Sequence, residues 1–140
     1  MDKPDGPPGE EGKQFIAETP DGGWVGFTGF GAKRDGDAGG YFFVAEHHRG
    51  KGYGEELVRL ALGVMFRDCG AARCLIDYHD WNEVAHGLYT KLGFREMRRI
   101  RIPEDKLEQE DRARGEGGPV HAVIVELTRE EYLAARQPDP

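Results

Sequence analysis

Cysteine, long apolar runs and excess positive charge are all scarce in this chain of 140 residues. The only two cysteines, Cys69 and Cys74, flank an expected helix-to-strand turn. They are too few for a disulfide framework and lack a metal-ligand spacing, so reduced thiols in or near the core are expected. No apolar stretch approaches the roughly 20 residues that cross a bilayer, and the opening "MDKPDGPPGEEG" lacks the apolar centre of a secretion signal. No membrane partner and a cytoplasmic location are the resulting expectations. Lys and Arg number 19 against 26 Asp and Glu, a net charge of -7. That balance argues against nucleic acid as a partner, because backbone phosphates are held by clustered cations that release counterions.

Two phosphate-binding patterns are also missing. There is no GxxxxGK[ST], and GxGxxG fails at its third glycine, where Leu57 stands. Of the five histidines, His47 and His48 are adjacent and cannot both point into one site from an extended chain. Neither His79 nor His86 has a ligand-spaced carboxylate or cysteine beside it, so no metal is expected.

What is present fits one domain of mixed α+β type. Residues 1–12 are Pro, Gly and acidic residues without apolar period and read as a disordered tail, leaving residues 13–137 as the domain. Phe15 to Glu18 and Trp24 to Phe30 read as a hairpin about "TPDGG". A second loop, "AKRDGDAGG", leads to a strand from Tyr41 to Glu46, completing an antiparallel meander. From Glu55 to about Asp68, Leu57, Leu60, Ala61, Val64 and Met65 recur at helical steps, ending at Gly70. "ARCLIDY" is the next strand, and Asn82 caps a helix from Glu83 to Leu92 closed by Gly93. Phe94 to Ile102 and Val120 to Leu127 form a closing pair, with the charged stretch between them too long for a tight turn and expected to be partly helical or mobile. Thr128 and Glu131 have capping-box spacing for a last short helix.

The strand-to-helix junction "HHRGKGYGEEL" concentrates glycine where main-chain N–H groups meet the positive end of a helix dipole. Arg49 and Lys51 add local positive charge to an acidic chain, which suits an anionic ligand such as a pyrophosphate. A glycine-rich turn can equally be only a turn, and the loop by itself does not name its ligand.

The combination does. "RGKGYG", Arg49 to Gly54, fits Q/R-x-x-G-x-G/A, and "NEVAHGLYTKLGF", Asn82 to Phe94, fits N-x-x-A-x-x-L-Y-x-K-x-G-F. In this order, separated by one helix and one strand, they resemble the GNAT superfamily of acyl-CoA-dependent N-acyltransferases over roughly Lys13 to Leu127. The resemblance implies a central, mostly antiparallel sheet with flanking helices and acetyl-CoA as co-substrate. Arg49, Gly50, Lys51, Gly52, Tyr53 and Gly54 would then hold the pyrophosphate. Phe42, Phe43 and Val44 would pair with the pantetheine arm in a gap between their strand and that of Asp77. Asn82 would contact the pantetheine, and Tyr89 would protonate the departing thiolate. Asp77 matches the glutamate base of the ribosomal-protein alanine acetyltransferases, one methylene shorter and so working through a water, with His79, Glu46 and His47 as alternatives. Trp24 and Trp81 are expected to be packing residues.

The resemblance also implies a leading strand and two helices, and about a dozen tail-like residues are expected to stand in their place. Three readings follow. The chain is a minimal enzyme acetylating an amine acceptor in a ternary complex; or a homodimer or partner chain covers an exposed edge strand; or it is a non-catalytic acyl-CoA-binding module. The acidic residues Glu104, Asp105, Glu108, Glu110 and Asp111 could draw in cationic amines, but a charge run is more often a solvated face, and they are read as one.

Overall fold

A computed structural model of the chain describes residues 10–135. Its sheet contains β1 (Glu10–Glu18), β2 (Trp24–Lys33), β3 (Asp37–Val44), β4 (Arg73–His79), β5 (Arg95–Arg101) and β6 (His121–Thr128), in spatial order β1-β2-β3-β4-β6-β5. Neighbours are antiparallel except β3 with β4. Helix α1 (Tyr53–Gly63) joins β3 to β4 and α2 (Glu83–Lys91) joins β4 to β5. The short α3 (Gln109–Arg114) lies between β5 and β6, and α4 (Arg129–Ala135) follows β6. This is the expected α+β architecture. Among the described residues no helix is long and apolar enough to cross a membrane.

Helix ends follow local rules. Asn82 Oδ1 accepts the Ala85 N–H at 3.1 Å, opening α2, and Gly93 closes its far end at φ +95°. At α4, Thr128 Oγ1 accepts the Glu131 N–H at 3.1 Å while Glu131 Oε1 accepts the Thr128 N–H at 2.9 Å. That reciprocal pair is the capping box its spacing predicts. Helix α1 passes into a π-helical turn, Val64–Asp68, in which consecutive Met65 and Phe66 are both buried. The wider turn brings two successive side chains to one face.

One face of the sheet carries the core. Phe30, Ala38, Cys74, Ile76, Val123 and Leu127 pack against Val58, Ala61, Leu62 and Met65, with Tyr89 and Tyr132 closing the cluster. Burying one such aliphatic side chain contributes about 1.5–3 kcal/mol. Over β1 to β3 the other face is open: Phe27 contacts Phe43 and Tyr41 at ring separations of 5.5 and 5.8 Å, and Trp24 stacks on Phe43 at 5.7 Å. Ile16, Trp24, Tyr41 and Phe43 there remain exposed.

Two expectations are corrected. The tail was to run through residue 12, but β1 begins at Glu10, where Glu10, Glu11 and Gly12 pair with Lys33, Ala32 and Gly31. Ladder pairing uses main-chain groups and needs no apolar period. Residues 1–9 lie outside the described residues. The expected loop "AKRDGDAGG" is mostly strand, because β2 runs to Lys33 and β3 starts at Asp37. Its glycines serve close approach: a Cβ on Gly40 would sit 2.2 Å from the Gly29 carbonyl oxygen, and one on Gly39 would sit 2.6 Å from that of Leu75.

Candidate active site

Strands β3 and β4 pair at only two positions, Asp37 with Arg73 and Ala38 with Cys74, and then part. Their outer edges stay paired, β3 with β2 as far as Val44 and β4 with β6 as far as His79. Beyond Cys74 the strands therefore face a slot with main-chain donors and acceptors unclaimed by a neighbouring strand. Such groups need partners, and an extended ligand bearing amides can supply them as an added strand does. The gap expected between the strands of Phe43 and Asp77 is present.

At the wide end of the slot the chain turns through residues 46–48 into the glycine loop. Gly50 and Gly52 lie at φ +80° and +85°, and Gly52 is the N-cap of α1 without a side-chain cap. The first α1 amide engaged is that of Glu56, which donates to the Gly52 carbonyl at 3.1 Å. The preceding amides of the first turn remain available at the positive end of the helix. Nothing lies within 4 Å of where a Cβ would stand on Gly50 or Gly52, so a ligand can approach the backbone closely. The acidic Glu55 is countered there, accepting from Lys91 at 2.7 Å and Arg59 at 2.9 Å. These hydrogen bonds, Lys91 first, hold its carboxyl below the usual range.

The two cations of the loop differ. Arg49 Nε donates to the Val44 carbonyl at 3.0 Å, and its guanidinium lies 5.8 Å from the Phe43 ring centre. It braces the loop against the end of β3, whereas Lys51 is exposed. Along β3 the side chains alternate: Phe42 packs against the core, Phe43 faces the open side and Val44 is half-buried. Asn82 is first a helix cap, its carboxamide oxygen already committed to Ala85.

Tyr89 is a buried aromatic, 8% exposed, stacked on Tyr78 at 5.8 Å and edge-on to Phe94 at 5.4 Å. Burial, then the neighbouring Cys74 and Asp77, pushes its phenol up to about 12. Burial likewise pushes the Cys74 thiol up to about 12, and both cysteines are buried. Asp77 is exposed on β4, on the side opposite the buried Ile76 and Tyr78. The two proposed catalytic residues thus approach β4 from its covered and open sides. His47 is exposed, and the His48 ring meets Tyr53 at 5.6 Å.

Sequence reasoning missed Asp111. Read as part of a solvated charged face, it is 2% exposed. It accepts from His79 Nδ1 at 2.5 Å, from Trp81 Nε1 at 2.9 Å and, through Oδ2, from the Glu108 N–H at 3.0 Å. Burial alone would raise its carboxyl, but the hydrogen bonds outweigh this and hold it below the usual carboxylate range. The one local feature at the site is a capping box, in which Asp111 accepts the Glu108 N–H.

Mutant forms of the spermidine/spermine N-acetyltransferase SpeG from Vibrio cholerae superpose with a TM-score of 0.71 at 18% identity, covering 90% of this chain and 72% of theirs. A putative phosphinothricin N-acetyltransferase gives 0.65 at 20% identity over 82% of this chain and 70% of its own. An acetyltransferase from Bacillus cereus gives 0.64 at 20% identity over 85% and 74%. No curated protein matches the chain in sequence. The family profile described as "Acetyltransferase (GNAT) domain" matches residues 10–96, and on that match the chain belongs to the GNAT acetyltransferase family.

Proposed function

We propose that the chain moves the acetyl group of acetyl-CoA to a primary amine by direct attack in a ternary complex. The observation that carries this reading is the slot between β3 and β4 opening onto uncapped helix amides. The pyrophosphate would lie on the main chain of residues 50–54, with Lys51 contributing charge and Arg49 holding the loop in shape. The pantetheine arm would pair with the free edge of Phe42, Phe43 and Val44, and the amide nitrogen of Asn82 has a hydrogen left to offer.

The reacting thioester would then face the bare edge of β4. Main-chain N–H groups fixed by the sheet can stabilise the tetrahedral oxyanion without reorganising. Tyr89, protonated throughout the physiological range, first donates a hydrogen bond to the departing sulfur and then its proton. Asp77 on the open side would attract the ammonium form of the acceptor. The acetyltransferases that share this fold include a spermidine/spermine enzyme, which is consistent with a cationic acceptor.

Tyr89→Phe tests the reading. With acetyl-CoA and a panel of polyamines, aminoglycosides, amino acids and peptide N-termini, thiol release should fall by about 10²-fold or more while acetyl-CoA binding by calorimetry persists. Unchanged release removes Tyr89 as the acid. Stabilisation by CoA without turnover of any amine would favour the binding-module reading. The open aromatic side of β1 to β3 favours a second reading, in which a second copy or partner chain completes the acceptor side. Light scattering that finds an active monomer would end it.

A further inference from the structure

We propose, building on the acetyl-transfer reading, that His79, oriented by Asp111, is the base that receives the proton of the incoming amine. A primary amine holds its proton with a pKa near 10.4, against about 6.5 for an imidazole and about 3.9 for an aspartate carboxylate. Transfer to an imidazole is therefore uphill by about four decades and to a carboxylate by more than six. Of the two polar residues that β4 presents on its open side near the slot, His79 is the one with a buried carboxylate to orient it.

The geometry is that of a base with an orienting partner. A carboxylate can only accept, so the contact to Asp111 places the hydrogen of neutral His79 on Nδ1 and leaves Nε2 bare. Among the described residues Nε2 has no partner, and the His79 side chain retains 34% of its surface. Asp111 is held by three donors from three places, His79 on β4, Trp81 after it and the Glu108 main chain before α3. Burying a carboxylate is costly unless it is fully hydrogen-bonded, and capping a six-residue helix at the surface requires no such burial. His79 is two residues beyond Asp77, so both project from the same side of β4 at the end where the slot is widest.

Protons balance as follows. The ammonium gives one proton to Nε2, which passes it to water. The amine nitrogen then attacks the thioester carbon, forming the C–N bond as the carbonyl pair moves to oxygen. Collapse breaks the C–S bond, sulfur takes a proton from Tyr89, and the second nitrogen proton goes to Nε2 and returns through water to the phenolate. The net change is ammonium and thioester to amide, thiol and one proton.

Other charged groups meet this corner. His121 Nδ1 lies 3.3 Å from Asp80 Oδ2, and the Arg114 guanidinium lies 4.8 Å from the Trp81 ring centre. His121 is the other imidazole beside a carboxylate at this corner, which makes His121→Gln the control. The experiment measures kcat/KM against pH for the wild type, His79→Gln, Asp111→Asn and His121→Gln, using the best amine from the panel, with acetyl-CoA affinity and melting temperature for each. His79→Gln should lower kcat/KM by about 10²-fold or more and abolish the acid limb of the profile, with affinity and melting unchanged. Asp111→Asn should lose less and keep the limb; His121→Gln should match the wild type.

An unaltered rate and limb in His79→Gln, with acetyl-CoA still bound, overturns the proposal alone. So does a loss matched by a fall in affinity or melting temperature, or a limb that disappears in His121→Gln instead. Wild type that binds acetyl-CoA but turns over no amine, or binds none, overturns the transferase reading and this assignment together. If Asp111→Asn fails to fold, His79→Gln decides.

Discussion

On the helix-bearing side of the sheet Val58, Ala61 and Met65 keep none of their surface, whereas on the other side Ile16, Tyr41 and Trp24 keep 68%, 52% and 45% of theirs. The same strands contribute to both. Stability is therefore concentrated on one side, where two layers enclose apolar atoms, and the second side is free to receive something else. The candidate chemistry lies where the two meet, along β4. Tyr89 reaches that strand through the covered layer, and Asp77 and His79 stand on the open one. Groups that must stay dry and groups that must meet a solvated amine are separated by the thickness of one strand.

The sharpest test of this contrast is Leu62→Ala on the covered side. Leu62 is 2% exposed at the centre of the cluster, and truncation should cost about 2–5 kcal/mol, read as a fall in the denaturant midpoint at unchanged slope. A middle-sized effect is expected from acid. Hydrogen bonds from Arg95 first, then from the Thr128 N–H, hold the Glu131 carboxyl down to about 2, from an ordinary value of 4.5. A lowered folded value means that the contribution is complete above about 4.5 and fades as pH falls toward 2. Denaturant midpoints over that window should decline, and Glu131→Gln should flatten the decline. Smallest of all should be Trp24→Ala on the open side, at about 1 kcal/mol or less; a loss equal to that of Leu62→Ala would show that this side is not open in solution.

Legibility in the sequence followed range. The Asn82 cap, the Gly93 stop and the Thr128–Glu131 box depend on residues within a few positions of one another, and each was readable. So were the helix of Leu57, Ala61 and Met65 and the succession of strands along the chain, because burial imposes a period; Leu60, counted in that pattern, is instead 54% exposed. Gly39 and Gly40 misled, since their purpose is to let Leu75 and Gly29 approach from distant strands. The start of β1 escaped because main-chain pairing leaves no side-chain pattern. In the site, the glycine loop and the Asn82-to-Phe94 motif stood out as short patterns. Asp111 did not, because its partners are 30 and 32 residues away and only folding turns a surface-looking acid into an enclosed one.

Two rungs of ladder join the β1-β2-β3 half of the sheet to the β4-β6-β5 half. Arg73 clasps that seam, donating to Asp37 at 2.7 Å on one half and to Glu126 at 2.9 Å on the other. A guest lying along the slot would act as the missing stitches, so that the two halves tighten as one fabric when it arrives and loosen when it leaves.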